Sequence, residues 1–346
     1  MNIHITNPLS DRRWDDLVAR HPAASVFHQR GWLDALARTY RYVPLVLTTA
    51  AEGESLQDGV VLCRISSWIT GTRLVSLPFA DHCDPLLNDV SAMPEFVSWL
   101  KTECDRQQLR YTEIRPLLGL GEMNCGLQPA SSYFFHELDL RGTLEQIWRG
   151  FHKDSIQRKI QRAEREGLTY EAGRSQRLVD DFYCLLLKTR RRHRLVPQPR
   201  AWFRNLVECM QNRIEICLTR KDGNPVAALL TLRHGAAAVY KYGCSDERFH
   251  NLGGMPFLFW RLIETSKAWG AERLDLGRSD LDNQGLIVFK DRFGATRKQL
   301  TYYRHLSTPK TEASSNWDSP TMRRFFSILP DAALSTAGRL LYRHIG

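Results

Sequence analysis

No segment of the chain approaches the roughly 18 uninterrupted apolar residues of a membrane span, so a bilayer-crossing helix is excluded. The opening residues, Met1-Asn-Ile-His-Ile-Thr6, lack the basic start and long apolar stretch of a secretory signal, and the expectation is a cytoplasmic protein. The eight cysteines, Cys63, Cys83, Cys104, Cys125, Cys184, Cys209, Cys217 and Cys244, form no C-x-x-C pair, which argues for reduced core thiols over zinc or disulfides. His28, Asp81, His82 and Asp84 offer ligating side chains without a fixed ligand spacing, and no metal is expected. Nor is there an excess of acid. Forty-eight Lys and Arg stand against 38 Asp and Glu, for a net charge of +10 and a pI near 9.3. That balance favours polyanionic partners such as acidic lipid, tRNA or a nucleotide-bearing substrate. DNA is not among the expected partners.

At 346 residues the chain suits two domains, and 43% hydrophobic with 25% charged residues is ordinary for a soluble globular protein. Short amphipathic helices are expected at 14–18 and 31–40. The apolar, β-branched runs at 43–48 and 59–65, joined by a polar link, read as a hairpin. A helix opened by Pro94 and a strand at 111–115 follow. The order returns in the second half: strands at 214–219, 226–232 and 237–242, a helix at 257–269 and a strand at 273–277. An offset of about 160 to 170 residues is of domain length and implies a duplicated α/β domain. Between the halves, residues 144–167 read as one basic helix stopped by Gly167, and Lys188-Thr-Arg-Arg-Arg-His-Arg194 ends another. The tail is apolar and basic together. Phe325, Phe326, Leu340, Leu341 and Tyr342 among Arg323, Arg324, Arg339 and Arg343 suit either an anionic lipid surface or the protein's own sheet.

Chemistry concentrates between Tyr240 and Tyr303. Tyr240-Lys-Tyr-Gly243 ends a strand, and Asn251-Leu-Gly-Gly-Met-Pro256 turns into a helix whose unpaired N–H groups suit phosphates. Leu252, Gly253, Gly254, Met255 and Arg292 are therefore the candidate cosubstrate-binding residues. A loop is expected to carry Phe289-Lys290 and Arg292-Phe-Gly294. Attack of an amine on an ester or thioester passes through an oxyanion, which Lys290 would stabilise, with Asp275 as candidate base. Tyr240 and Tyr242, on one face of their strand by simple alternation, are candidate acceptor-binding residues together with Arg278, Ser279, Phe289, Arg190 and His193.

These residues resemble the FemAB-like branch of the GNAT acyltransferase superfamily. The resemblance covers nearly the whole chain: Phe27-His28 before Trp32, Ser76-Leu-Pro-Phe79 with Asp84-Pro-Leu86, the basic run Arg158 to Gly167, Asp275-Leu-Gly-Arg-Ser279, Phe289-Lys290 and Phe293-Gly294. It adds His28 and Asp84 as acceptor-binding candidates. The fold it implies is α/β (α+β), two tandem GNAT-like domains, each a mixed sheet flanked by helices. The expected division is 1–140, a catalytic 141–308 and a basic amphipathic tail at 309–346. The activity it implies is N-acyl transfer from acyl-CoA to an amine of a sugar- or amino-acid-containing precursor of the cell envelope or an exopolysaccharide, since the tail resembles that of exopolysaccharide- and exosortase-associated members. The alternatives are an aminoacyl-tRNA-dependent peptidyltransferase of the peptidoglycan-bridge type and a non-catalytic membrane-docked scaffold. The tRNA-dependent enzymes often carry an inserted helical hairpin that this sequence lacks, which favours acyl-CoA.

Overall fold

The two apolar runs flanking the polar link pair as expected: β2 (Val43–Thr48) and β3 (Asp58–Ile65) are antiparallel, with Val43 opposite Arg64 and Leu47 opposite Val60. The computed structural model describes residues 2–117, 126–307 and 331–345, with the backbone alone at 331 and 332. The chain divides into two compact units, one of Met1–Tyr133, Gln299–Asn316 and Arg339–Gly346, the other of Phe134–Lys298 and Trp317–Gly338. The expected division at 140 and 308 follows chain order, whereas these units draw on discontinuous segments.

In the first unit the strand order is β1 (His4–Thr6), β2, β3, β4 (Arg73–Val75), β6 (Tyr111–Ile114) and the later part of β13 (Thr296–His305), with β5 (Leu86–Leu87) paired to β3. β4 and β6 are parallel and joined by α3 (Met93–Arg106). Met93, Phe96, Val97, Leu100 and Cys104 repeat at three and four residues along α3 and bury one face. α1 (Arg12–Arg20) starts at Asp11, whose side chain accepts from the Arg13 amide, and α2 (Arg30–Tyr40) brings Trp32 to full burial. A Cβ at Gly59 would lie 2.6 Å from Trp14, so the missing side chain lets the indole lie on the strand.

Glu113 of β6 is fully buried and bonds Arg115 at 2.7 Å and Arg304 of β13. Burial alone would raise its pKa; the two guanidiniums outweigh that and hold the carboxyl below its ordinary 4.5. A carboxylate with a depressed folded pKa stabilises above its unfolded pKa and loses that contribution as pH falls through the folded value. Glu113→Gln is expected to cost about 2 kcal/mol near neutral pH, below the full penalty for a broken buried pair because both arginines keep some solvent contact. In urea titrations the gap between variant and parent should close as pH drops below 4.5; a gap independent of pH would remove the charge argument.

The second unit repeats the topology. Its order is β7 (Gln128–Asp139, from Phe134), β12 (Arg273–Asp280), β11 (Ala237–Ser245), β10 (Asn224–His234), β9 (Ile214–Lys221) and β8 (Thr169–Gly173). β9, β10 and β11 meander antiparallel, then α8 (Gly254–Ala268) returns the chain to β12, parallel to β11. α6 (Gln176–Arg192) and α7 (Arg200–Met210) cover one face: Cys244 of β11 reaches the Phe182 carbonyl. The alternate residues Thr219 and Ala227 face Gly254 of α8 on the other.

The stretch 144–167 is not one helix. α4 (Leu144–Gly150) stops where Phe151 turns extended, a π turn (Lys153–Gln157) follows, and α5 (Arg158–Arg165) completes it. The break lets Phe151 bury its ring against Trp260 and Phe293, 5.7 and 5.2 Å away, while the His152 amide donates to the Arg292 carbonyl. Aromatic packing outweighs helix continuity at that point.

Part of the tail is α10 (Asp331–Ile345). Within the second unit its Ser335 hydroxyl lies 3.0 Å from that of Tyr183, and a Cβ at Gly338 would meet the Pro197 carbonyl at 2.2 Å. Within the first, the Tyr342 and His344 carbonyls accept from Tyr42 and Arg73. This helix docks on the protein; Arg323, Arg324, Phe325 and Phe326 lie outside the described residues. The seven described cysteines are free thiols, with Cys184 exposed and Cys209 half-buried, and burial pushes Cys217 up to about 12. Cys125 also lies outside the described residues. Among the described residues no helix is long and apolar enough to cross a membrane.

Candidate functional site

β11 and β12 begin as parallel neighbours, from Ala237 opposite Arg273 to Val239 opposite Asp275, and β11 then runs on to Ser245. Just past that point its register against β10 breaks, Leu230 facing Tyr242 but Thr231 facing Tyr240. The extra residue, Lys241, forms a bulge, and a bulge reverses side-chain alternation beyond it. Tyr240 therefore packs toward α8, 4.8 Å from Phe259, while Tyr242 points to the other face, 5.3 Å from Phe203, and accepts from Trp202 Nε1 at 3.0 Å. The one-face expectation for these tyrosines is corrected for that reason. A Cβ at Gly243 would lie 2.4 Å from the Tyr240 hydroxyl, so glycine there lets the phenol lie along the strand.

Where the bulge lies, a cavity of about 860 Å³ opens, lined by β11 from Tyr240 to Ser245 and by Gly254, Met255 and Pro256 in the first turn of α8. Amides at a helix start have no intrahelical acceptor and lie at the positive end of the helix dipole. Around them stand Lys159, Arg190, Arg192, Lys241 and Arg292, and no Asp or Glu lines the cavity among the described residues. Its wall also carries apolar and aromatic side chains, including Ile156, Leu186, Phe249, Leu286 and Phe289. A cationic mouth over an apolar wall suits a polyanionic carrier bearing a less polar group.

The second-unit helices are fixed to this wall. Thr189 exchanges hydrogen bonds with the Ser245 backbone, and Asp246 bonds both Lys188 at 2.7 Å and Arg248 at 2.6 Å. His250 Nε2 accepts from the Ser245 hydroxyl at 2.9 Å and from Arg192 at 3.3 Å. Burial, then the neighbouring Arg192, lowers the pKa of His250; burial, then Arg192 and Arg190, lowers that of His193. Both shifts favour the neutral imidazole, and because the Nε2 lone pair of His250 is taken by its two donors, His193 is the candidate proton acceptor.

Gly253 has φ +80° and a Cβ there would meet the Lys159 carbonyl at 2.1 Å, so the glycine sets how closely α5 approaches the start of α8. Leu252 is buried behind it. Phe289 and Lys290 lie on a helix, α9 (Gln284–Asp291), in place of the expected loop. Asn283 caps it by accepting from the Leu286 amide, and Phe289 and Phe293, one turn apart, pack against Phe259 at 5.6 and 5.1 Å, the first edge-on and the second tilted. Lys290 is 2% exposed and donates to the Gly277 and Arg278 carbonyls and the Ser279 hydroxyl at 2.9, 3.0 and 2.9 Å. Asp275 accepts from the Gly277 amide at 2.6 Å.

Gly254, Met255, Arg292, Tyr240, Tyr242, Phe289, Arg190 and His193 thus share the cavity, whereas Lys290, Asp275, Arg278 and Ser279 form a knot at the end of β12 and do not line it. His28 and Asp84 belong to the first unit, where buried His28 donates to the Asp84 carbonyl and Asp84 accepts from the Leu117 amide. Sequence reasoning did not assign Lys159, Arg192, Lys241, His250 or Asn283 to the site. For Lys159 and Lys241 the signal is tertiary, a helix approach and a bulge. The one described trio with ligating atoms within 4.8 Å of one another is Cys104, Asp105 and His305 of the first unit.

The acetyltransferase (GNAT) domain family matches residues 150–285. A search of curated proteins gave no match. Among solved structures, FemX superposes with a TM-score of 0.68 at 13% identity over 88% of this chain and 97% of its own. L-PGS from Bacillus licheniformis gives 0.57 at 12% identity over 99% and 100%, and a tandem GNAT protein from the clavulanic acid biosynthesis pathway 0.55 at 12% over 90% and 100%. At these identities the likeness is one of fold: two GNAT-like domains, each a mixed sheet flanked by helices.

Proposed function

Because this chain is a FemAB-like member of the GNAT superfamily, an acyltransferase fold, we propose that it moves an acyl group from acyl-CoA to an amine of a sugar- or amino-acid-containing cell-envelope or exopolysaccharide precursor. The observation that carries the reading is the cavity beside the β11 bulge, where five cations and the first turn of α8 converge with no carboxylate among the described residues. The pyrophosphate and 3′-phosphate of coenzyme A suit those cations, and the thioester end suits the apolar wall beside Tyr240. The imidazole of His193 can take the proton the amine loses, while the carbonyl carbon gains a C–N bond, the C–S bond breaks and coenzyme A departs as a thiolate that recovers a proton. Lys290 acts by bracing the end of β12 through the Gly277 and Arg278 carbonyls and the Ser279 hydroxyl, and Asp275 by accepting from the Gly277 amide. His28 and Asp84 brace the corresponding loop of the first unit. The tail from 309 is proposed to bring the protein to the inner face of an anionic membrane, where a lipid-linked acceptor would be met.

Lys159→Glu and Arg292→Glu, both exposed at the rim, should each weaken coenzyme A binding about tenfold. Calorimetry with coenzyme A and, separately, charged tRNA checks this. Binding of tRNA alone would move the donor to the aminoacyl class, and unchanged coenzyme A affinity in both variants would remove the cavity from the donor site.

A further inference from the structure

The turn between β3 and β4 is held from several sides, yet its two apolar side chains stand in solvent. Ser67 Oγ accepts from the Ile69 and Thr70 amides at 3.2 and 2.9 Å and lies 2.9 Å from His344 Nδ1. Thr70 Oγ1 donates to the His344 carbonyl at 2.8 Å, and Arg73 donates to Thr70 Oγ1 and to that same carbonyl. On this fixed frame Trp68 is 86% exposed and Ile69 39%. The turn is held by hydrogen bonds while its indole stays unburied, the reverse of what packing alone would select. Trp68 meets the buried His344 ring edge-on at 5.9 Å, and on α10 Leu340, one turn before His344 on the same side, is 58% exposed, with Ile345 at 45%. Arg110, exposed, donates to the Thr70 carbonyl, and exposed Arg339 and Arg343 flank the helix residues.

From this placement we infer that Trp68, Ile69 and Leu340 form a wedge by which the first unit inserts shallowly into the headgroup region of an anionic bilayer, with Arg110, Arg339 and Arg343 against the lipid phosphates. An indole has an apolar body and one N–H donor, which suits the boundary between acyl chains and headgroups. Basic side chains at the rim of the patch match anionic lipid and not a neutral surface. The wedge rests on the membrane contact proposed for the tail and is independent of acyl transfer. It moves the inserting residues from Phe325 and Phe326 to a preformed turn in the first unit together with the end of α10.

Co-sedimentation of the full chain with phosphatidylcholine vesicles, with and without phosphatidylglycerol, tests it. The parent should bind the anionic vesicles and largely ignore the neutral ones. Trp68→Ser with Ile69→Ser should cut that binding about tenfold, as should Arg110→Glu with Arg343→Glu. Melting temperature and coenzyme A affinity should be unchanged by the first pair, whose side chains make few contacts. A Phe325→Ser, Phe326→Ser variant separates the two segments: if it alone loses binding, the wedge is overturned and the tail contact stands, whereas loss in both variants supports the wedge acting with the tail. Failure of the parent to bind overturns both. A Trp68-dependent dimer in sedimentation, without vesicle binding, overturns the wedge in favour of a second copy.

Discussion

Gly253→Val is expected to remove about 4 kcal/mol of stability and, in whatever fraction remains folded, most of the affinity for the acyl donor. Two effects add. A β-branched residue at φ +80° costs about 1–3 kcal/mol, and forcing atoms into a filled site costs a similar amount. The space is filled by backbone: a Cβ would stand 2.1 Å from the Lys159 carbonyl and 2.8 Å from its carbon, which no rotamer change relieves. Total stabilities of 5–15 kcal/mol leave little margin for such a loss. If α5 is pushed away, Lys159 leaves the cavity with it, so donor binding should fall by more than the single Lys159→Glu change produces. Gly254→Ala is the control, since its Cβ would meet side-chain methyls of Thr219, Val226 and Ala227 at 3.1 to 3.4 Å in a helical backbone. Urea unfolding read by fluorescence, with coenzyme A titration on the folded species, measures both. A Gly253→Val protein that unfolds with the parent, or that keeps parental donor affinity, would show that the approach of α5 does not set the site.

The glycine turn was legible from sequence because its chemistry is local: paired glycines, a proline in the first helical turn and an apolar run after it. The duplicated order of strands was legible for the same reason, since hairpin links and alternating runs are short-range signals; the observed β2–β3 and β9–β10 pairs start within two residues of where the sequence puts them. Tyr242 was not. Its direction depends on one extra residue in β11 relative to β10, and nothing near Lys241 marks which residue is extra. The break at Phe151 was hidden too, because the reason for it, a pocket of Trp260 and Phe293, is supplied by segments more than 100 residues away. Lys290 shows a third kind of limit. Its sequence neighbours marked it as special, but whether its ammonium meets substrate or the protein's own carbonyls is decided by how α9 crosses the end of β12.

That crossing fixes what Lys290→Met should do. Three acceptors of the ammonium lie at one strand end, which also holds Gly277 at φ +70° with Asp275 bonded to its amide. Leaving a buried acceptor unmade costs about 1–3 kcal/mol, and three are left; some of that is recovered because an ammonium no longer has to be kept out of water. The net expectation is a loss of about 3 kcal/mol. Because Phe289 precedes Lys290 on α9 and lines the cavity, donor affinity and turnover should fall together and in step with stability. A second readout isolates the charge. His136 has its pKa lowered by burial first and by the Lys290 charge next, while Asp291, 3.2 Å from its Nε2, pulls the other way. Removing the ammonium lifts the repulsion, so the His136 pKa should rise in Lys290→Met, visible in an NMR titration of its ring protons. Turnover lost at parental stability and donor affinity would instead return Lys290 to the oxyanion role its sequence suggested, since only a contact made in the transition state lowers kcat while leaving binding intact.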